Sequence, residues 1–209
     1  MSNITDVQLI NWALGEIPAE GITARTDKSE SAIAANRLYD IILQLCLRRG
    51  TTPWNFATKR ISLTPTNNAP VNEFAKEYEL PGDLLAIQML WPKGVPYRKE
   101  GGKLYTNSST IILKYTSNEV LKKTYLMEWD FAQYFMYSLA AAMTPSLSED
   151  QAKTNDLKKK AEEAYVHASA AFSMEDTPDE MPESIYIRAH EGYAGGWNHN
   201  QFDFDSLPG

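Results

Sequence analysis

Carboxylate side chains that could perform acid–base catalysis occur at two places in the chain. Asp83 follows a Pro-Gly pair between two candidate strands, while Glu128 and Asp130 stand where a helix should begin. Two carboxyl groups can hydrolyse a glycosidic bond, one as general acid and the other as base or nucleophile. The same residues have a structural explanation, because Asp favours tight turns and acidic side chains stabilise helix N-termini. We expect the structural explanation for all three residues.

The remaining side chains that could react or bind metal lack the neighbours that such chemistry needs. Cys46 lies on the apolar face of a candidate helix, where a thiol has no base to activate it, so we expect a core cysteine. His167, His190 and His199 do not have the short spacing of a zinc site. The sequence therefore predicts no catalytic residue, no cofactor and no bound metal ion.

Acidic charge is concentrated at the C-terminal end of the chain. Residues 174–209 contain eight acidic residues and one basic residue, so they account for the whole net charge of −7. Plain disordered tails are poor in aromatic residues, whereas aromatic side chains anchor buried interfaces. We therefore expect an extended arm that becomes ordered on a protein partner. Its candidate partner-binding residues are Tyr186, Arg188, Tyr193, Trp197, Phe202 and Phe204.

The rest of the chain is electrically neutral, with 19 acidic and 19 basic residues. Such a body offers no basic face for binding nucleic acid. A single cysteine suits a reducing compartment, and the N-terminus has neither the basic nor the apolar region of a signal peptide. The longest apolar run, residues 131–143, is too short to span a bilayer. We expect a protein used in a cytoplasm, or in a particle assembled there.

Apolar residues at helical spacing predict two helices before residue 50. Thr5 and Gln8 fit a capping box for the first helix. Asp27 should cap the second helix. Its predicted buried stripe consists of Ala35, Leu38, Ile42 and Leu45, widened by Tyr39 and Cys46.

Two further helices are predicted after residue 128. The first of them is apolar on nearly every face, so it should be central, and Pro145 should stop it. Ser148 and Gln151 fit a capping box for the last helix, which should extend to about Ser173.

Six short strands are predicted between the second and third helices. The Gly101-Gly102 pair is typical of a hairpin turn. The predicted fold is α+β: an antiparallel four-helix bundle with a small antiparallel β domain inserted between helices 2 and 3. The predicted domains are the bundle at residues 1–58 and 118–173, the β domain at 59–117, and the acidic, aromatic arm at 174–209. The predicted strands are 59–63, 77–80, 84–91, 97–100, 103–106 and 110–115.

Several short motifs, in their order, resemble one family. The segment INWALGEIPAEGI at residues 10–22, followed by SESAIAANRLYDIILQLCLRRGTTPWNFATKRISL at 29–63, resembles the head-to-tail adaptors, or connectors, of short-tailed bacteriophages, the tail tubular protein A family. The segment YELPGD at 78–83 and Gly101-Gly102 with Tyr105 are similar to the middle of that family. The resemblance covers residues 4 to about 173; beyond Met174 it extends only to general character.

The resemblance implies a structural protein of the virion with no catalytic activity. Its copies would form a homo-oligomeric ring, usually dodecameric, between the portal protein and a tail nozzle protein of the tail tubular protein B type. The ring would extend the channel through which DNA passes, without sequence-specific binding and without a membrane partner. The implied location is the neck of the virion, assembled in the host cytoplasm, with the C-terminal arm on the portal or on a neighbouring subunit.

Two other classes of function are open from the residues alone. A tail-associated cell-wall hydrolase could use Glu128 and Asp130 as its carboxylate pair. A cytoplasmic adaptor unrelated to phage could bind a single protein through the aromatic arm.

Overall fold

The computed structural model of the chain describes residues 4–49, 54–68, 70 and 72–175. Within them the chain forms four α-helices, and the six β-strands all lie between the second and third helix along the sequence. No helix in these ranges is long and apolar enough to cross a membrane. The helices are α1 (Asp6–Gly15), α2 (Glu30–Arg48), α3 (Trp129–Leu147) and α4 (Gln151–Glu175).

The helix starts are set by side chains that accept hydrogen bonds from free backbone amides. The predicted capping box of α1 is confirmed, because Thr5 accepts from the amide of Gln8 and the Gln8 side chain accepts from the amide of Thr5. The predicted cap of α2 is wrong. Ser29 caps this helix, whereas the carboxylate of Asp27 accepts hydrogen bonds from backbone amides in the preceding loop.

Pro145 does not stop α3, which continues to Leu147. A proline this close to the end of a helix interrupts only the last turn, so its cost is small. The predicted cap of α4 at Ser148 is also wrong, because the carboxylate of Asp150 accepts the hydrogen bond from the amide of Lys153.

The helices do not form a four-helix bundle, and the predicted fold class is wrong on this point. Helices α1, α2 and α4 each pack mainly against α3, while α1 and α2 scarcely touch each other. Because α3 is apolar on nearly all faces, it can take a neighbour on each of them. The predicted buried stripe of α2 is confirmed at Tyr39, which is completely buried, and wrong at Leu45, which is 59% exposed. Leu43, outside that stripe, is completely buried.

Trp54 closes the helical core at the point where the chain leaves α2 for the first strand. Its side chain is 1% exposed and packs edge-on against Phe131 of α3 and Phe172 of α4. The indole N–H donates a hydrogen bond of 3.2 Å to the carbonyl of Cys46. One side chain therefore contacts three helices.

The strands form two three-stranded antiparallel sheets, where a single small β domain was predicted. Their orders are β1-β6-β3 and β2-β5-β4. The positions of all six strands are confirmed to within two residues, as is the hairpin turn, because Gly101 and Gly102 both have positive φ. The strands are β1 (Thr58–Leu63), β2 (Lys76–Glu79), β3 (Leu84–Trp91), β4 (Tyr97–Glu100), β5 (Lys103–Thr106) and β6 (Ile111–Ser117).

A second hydrophobic core lies among the strands. Ile111, Leu113 and Tyr115 alternate along β6 and are buried together with Tyr78 of β2 and Leu104 of β5. Residues up to Glu175 form one compact unit with these two cores. The predicted domain boundaries at residues 58/59 and 117/118 stay predictions.

Candidate interaction surfaces

The six residues predicted to bind a partner lie outside the described residues. Their placement on the portal or on a neighbouring subunit stays a prediction. They are Tyr186, Arg188, Tyr193, Trp197, Phe202 and Phe204.

Asp83 is the centre of an ionic network rather than a free catalytic carboxylate. The ammonium group of Lys59 lies 2.8 Å from Asp83 and 2.7 Å from Glu119, and the hydroxyl groups of Tyr115 and Ser117 donate to Asp83 at 3.0 and 2.8 Å. Partial burial acts to raise the pKa of Asp83, but the hydrogen bonds from Lys59 and the two hydroxyl groups outweigh it and lower the pKa. The network joins β1 and β6 to the segment that leads towards α3.

Glu128 and Asp130 lie at the start of α3, close to Glu175 at the end of α4. Burial raises the pKa of Glu128, and the negative charges of Glu175 and Asp130 raise it further. The Glu128 side chain makes no capping hydrogen bond to the helix. Within the described residues, none of the three carboxylates has an ion-pair partner. Three carboxylates without an ion-pair partner in the described part of the chain therefore lie close together at this end of the helices.

Cys46 is a core residue, as predicted. Its side chain is buried beside Tyr134 and Ser138, and burial raises the pKa of the thiol. A neutral buried thiol is a poor nucleophile. Among the residues that the structure describes, no cluster of His, Cys, Asp and Glu could hold a metal ion.

Helix α2 carries an exposed apolar row that is not covered by the rest of the described chain. Ile33, Ile41 and Leu45 are each more than half exposed, and Arg37 and Arg48 lie in the same row at helical spacing. We call these five residues the α2 row. Beside the row is a groove of about 530 Å³ between α2 and α3, lined by Ile42, Leu45, Cys46, Arg48, Arg49, Tyr134 and Ser138.

Two exposed tryptophans form a second surface, at the N-terminal end of α3. The rings of Trp12 and Trp129 lie 5.3 Å apart, and Trp129 is 57% exposed. Glu128 and Asp130 flank Trp129 in the sequence. We call these four residues the Trp patch, which combines an apolar surface with negative charge.

The sheet β1-β6-β3 has a third exposed apolar surface, on the face away from its core. Trp91 and Ile112 are directly opposite each other on β3 and β6, and both are exposed. Met89 is opposite Lys114 on the same face, and Arg60 of β1 pairs with Lys114 from the other side. We call these five residues the outer sheet face.

These three surfaces were not predicted from the sequence. One signal was present in α2, where Ile33 and Ile41 lie off the predicted stripe, so the helix has more aliphatic residues than one face can bury. Nothing in the local sequence distinguishes the exposed Trp129 from the buried Trp54, because that difference is set by tertiary packing.

The chain was compared with known proteins: no protein-family model and no curated protein matches it. Its function is therefore argued from its exposed surfaces and from the motifs of its sequence.

Proposed function

We propose that this protein is a structural component of a bacteriophage virion, a head-to-tail adaptor whose copies form a ring between the portal and the tail nozzle. The ring extends the DNA channel, and the protein has no catalytic step to perform. The proposal combines the order of the sequence motifs with the surfaces of the folded chain.

The observation that carries the proposal is the concentration of exposed apolar side chains at three separate surfaces. Both hydrophobic cores are closed, so these side chains are not left over from a poorly packed interior. Contiguous exposed apolar surface on a soluble protein marks sites of protein contact. A ring subunit needs two lateral contacts and at least one axial contact, and three surfaces meet that requirement.

The axial contacts are assigned from the chemistry of the outer sheet face and of the C-terminal arm. The outer sheet face offers Trp91 and Ile112 to the nozzle protein, surrounded by the cations Arg60 and Lys114. The acidic arm, with Trp197 among its aromatic anchors, binds the portal or a neighbouring subunit. DNA passes through the ring without specific contacts, since the body is electrically neutral.

The arm is tested in the full-length chain by replacing three of its aromatic residues with alanine: Trp197, Phe202 and Phe204. Co-sedimentation with the portal should be lost, while the circular dichroism spectrum and thermal unfolding stay unchanged. Tyr125, an exposed aromatic residue outside the arm, provides the matched control, and Tyr125→Ala should co-sediment normally. Normal co-sedimentation of the triple variant would contradict the role of the arm.

One observation favours the alternative of a cell-wall hydrolase. A carboxyl group with a raised pKa beside a second carboxylate is the arrangement that a general acid needs, and Glu128 beside Asp130 has it. Digestion of purified cell wall by the wild-type chain, lost in Glu128→Gln, would establish that activity. Absence of digestion by the wild-type chain would remove this alternative.

A further inference from the structure

We propose that the lateral contact of the ring joins two different surfaces: the α2 row of one copy packs against the Trp patch of the next copy. The inference rests on the proposed function, because it names the surfaces through which the ring would close.

The two surfaces are complementary in charge. Arg37 and Arg48 in the α2 row have no ion-pair partner within the described residues. Glu128 and Asp130 in the Trp patch have no cationic partner there either, and Glu175 adds a third negative charge beside them. Burial raises the pKa of Glu128 and the charges of Glu175 and Asp130 raise it further, and an arginine of a neighbouring copy would offset the second effect.

Both surfaces are also rich in exposed apolar side chains. Ile33 and Leu45 are twelve residues apart, so the α2 row extends about 18 Å at 1.5 Å per residue. The groove beside its C-terminal end has a volume of about 530 Å³, enough to admit an indole ring, and arginine side chains line its edge. Trp129, more than half exposed, supplies such a ring. Arginine packs well on the face of tryptophan.

The same combination of groups already occurs inside one copy of the chain. The guanidinium of Arg49 lies 4.2 Å from the centre of the Tyr165 ring and also forms an ion pair with Glu162. An arginine held between an aromatic face and a carboxylate is thus a contact that this fold makes between its own helices. The proposed interface repeats it between copies, with Arg48, Trp129 and Asp130.

A contact between two different surfaces is heterologous, so each copy presents its α2 row to one neighbour and its Trp patch to the other. Such contacts generate a closed ring when the rotation between copies closes. The outer sheet face takes no part in this contact and stays available for an axial partner.

The interface is tested by charge reversal in the full-length protein. One variant combines Arg37→Glu with Arg48→Glu, and the other combines Glu128→Lys with Asp130→Lys. Each variant alone would bring like charges together at every lateral contact, so each should lose association at least tenfold. An equal mixture of the two should associate again, because every contact between unlike copies is then between opposite charges.

The readout is the light-scattering mass over a concentration series, for the protein alone and with the portal. The matched controls are Lys158→Glu with Lys159→Glu, and Glu163→Lys, which change the charge of exposed α4 residues without a described ion pair. These controls should associate like the wild-type chain. Circular dichroism confirms that all variants are folded.

Failure of the mixture to recover association would overturn the interface, and so would normal association of either variant alone. If Arg37→Glu with Arg48→Glu lost association and Glu128→Lys with Asp130→Lys did not, the α2 row would have another occupant, such as the acidic arm of a neighbouring copy. In these cases binding of the wild-type chain to the portal would leave the adaptor proposal standing. A wild-type chain that bound neither itself nor the portal would overturn both proposals.

Discussion

Replacing Trp54 with alanine should remove a large part of the free energy of unfolding of this protein, whereas the same change at Trp129 should remove little of it. Trp54 is 1% exposed and its ring contacts Phe131 and Phe172 at centroid distances of 4.8 and 5.1 Å. Trp129 is 57% exposed and packs beside the ring of Trp12. The two substitutions delete the same atoms in different surroundings.

The expected cost at Trp54 follows from what its side chain touches. Truncating a buried tryptophan to alanine costs about 3–5 kcal/mol in lost burial and cavity formation. Loss of the hydrogen bond from the indole to the Cys46 carbonyl adds about 1 kcal/mol at most, because that carbonyl still accepts a hydrogen bond from the amide of Arg49. The total is about 3–6 kcal/mol, out of the roughly 5–15 kcal/mol that stabilise a typical domain. Trp129→Ala should cost about 1 kcal/mol, the value of an aromatic pair.

The assay is urea unfolding followed by far-UV circular dichroism, which does not depend on tryptophan fluorescence. Trp54→Phe provides an intermediate point: it keeps most of the packing but loses the hydrogen bond, so its cost should be about 2 kcal/mol. Equal losses for Trp54→Ala and Trp129→Ala would refute the reasoning, as would a loss below about 2 kcal/mol for Trp54→Ala.

Three further predictions concern charge and the sheet. Hydrogen bonds lower the pKa of Asp83 from 3.8 in the folded chain, so wild type should be more stable than Asp83→Asn above about pH 4. This difference in stability should decline as the pH falls through the folded pKa, which thermal unfolding at about pH 2–7 measures. An unchanged difference across that range would contradict the network. The folded pKa of Glu128 is raised from 4.5, so its charged form destabilises the folded state. Glu128→Gln should therefore unfold at a higher temperature than wild type at about pH 7, and at the same temperature at about pH 3. Unfolding of the variant at a lower temperature than wild type at about pH 7 would show that Glu128 has a favourable partner. Replacing both Trp91 and Ile112 with serine should abolish attachment of the nozzle protein in co-sedimentation and leave portal binding intact. The control is Lys99→Ser on exposed β4, which should attach normally. Attachment of the nozzle protein to the double variant would remove this role of the outer sheet face.

Local elements could be predicted from the sequence because local rules determine them. The Gly101-Gly102 turn needs two residues with positive φ, and a glycine pair supplies them at no steric cost. The alternation of Ile111, Leu113 and Tyr115 shows which face of β6 is buried. The capping box of Thr5 and Gln8 is likewise complete within one turn.

The assembly of the helices could not be predicted from the same rules. Helical periodicity shows that a helix has a buried face but not which helix covers it, and α3 is apolar on so many faces that it accepts three partners. The phase of α2 was also ambiguous, because aliphatic residues surround the helix and Leu45 fits either face. The α2 row follows from that ambiguity: the aliphatic residues of α2 that do not face α3 are exposed.

The most direct test of the adaptor proposal is the mass of the complex that the full-length chain forms with the portal, measured by light scattering as the chain is titrated in. We expect saturation at a fixed number of copies per portal ring, in a closed complex that then accepts the nozzle protein. Binding that never saturates, or no binding to the portal at any concentration, would contradict the proposal that this protein is a head-to-tail adaptor.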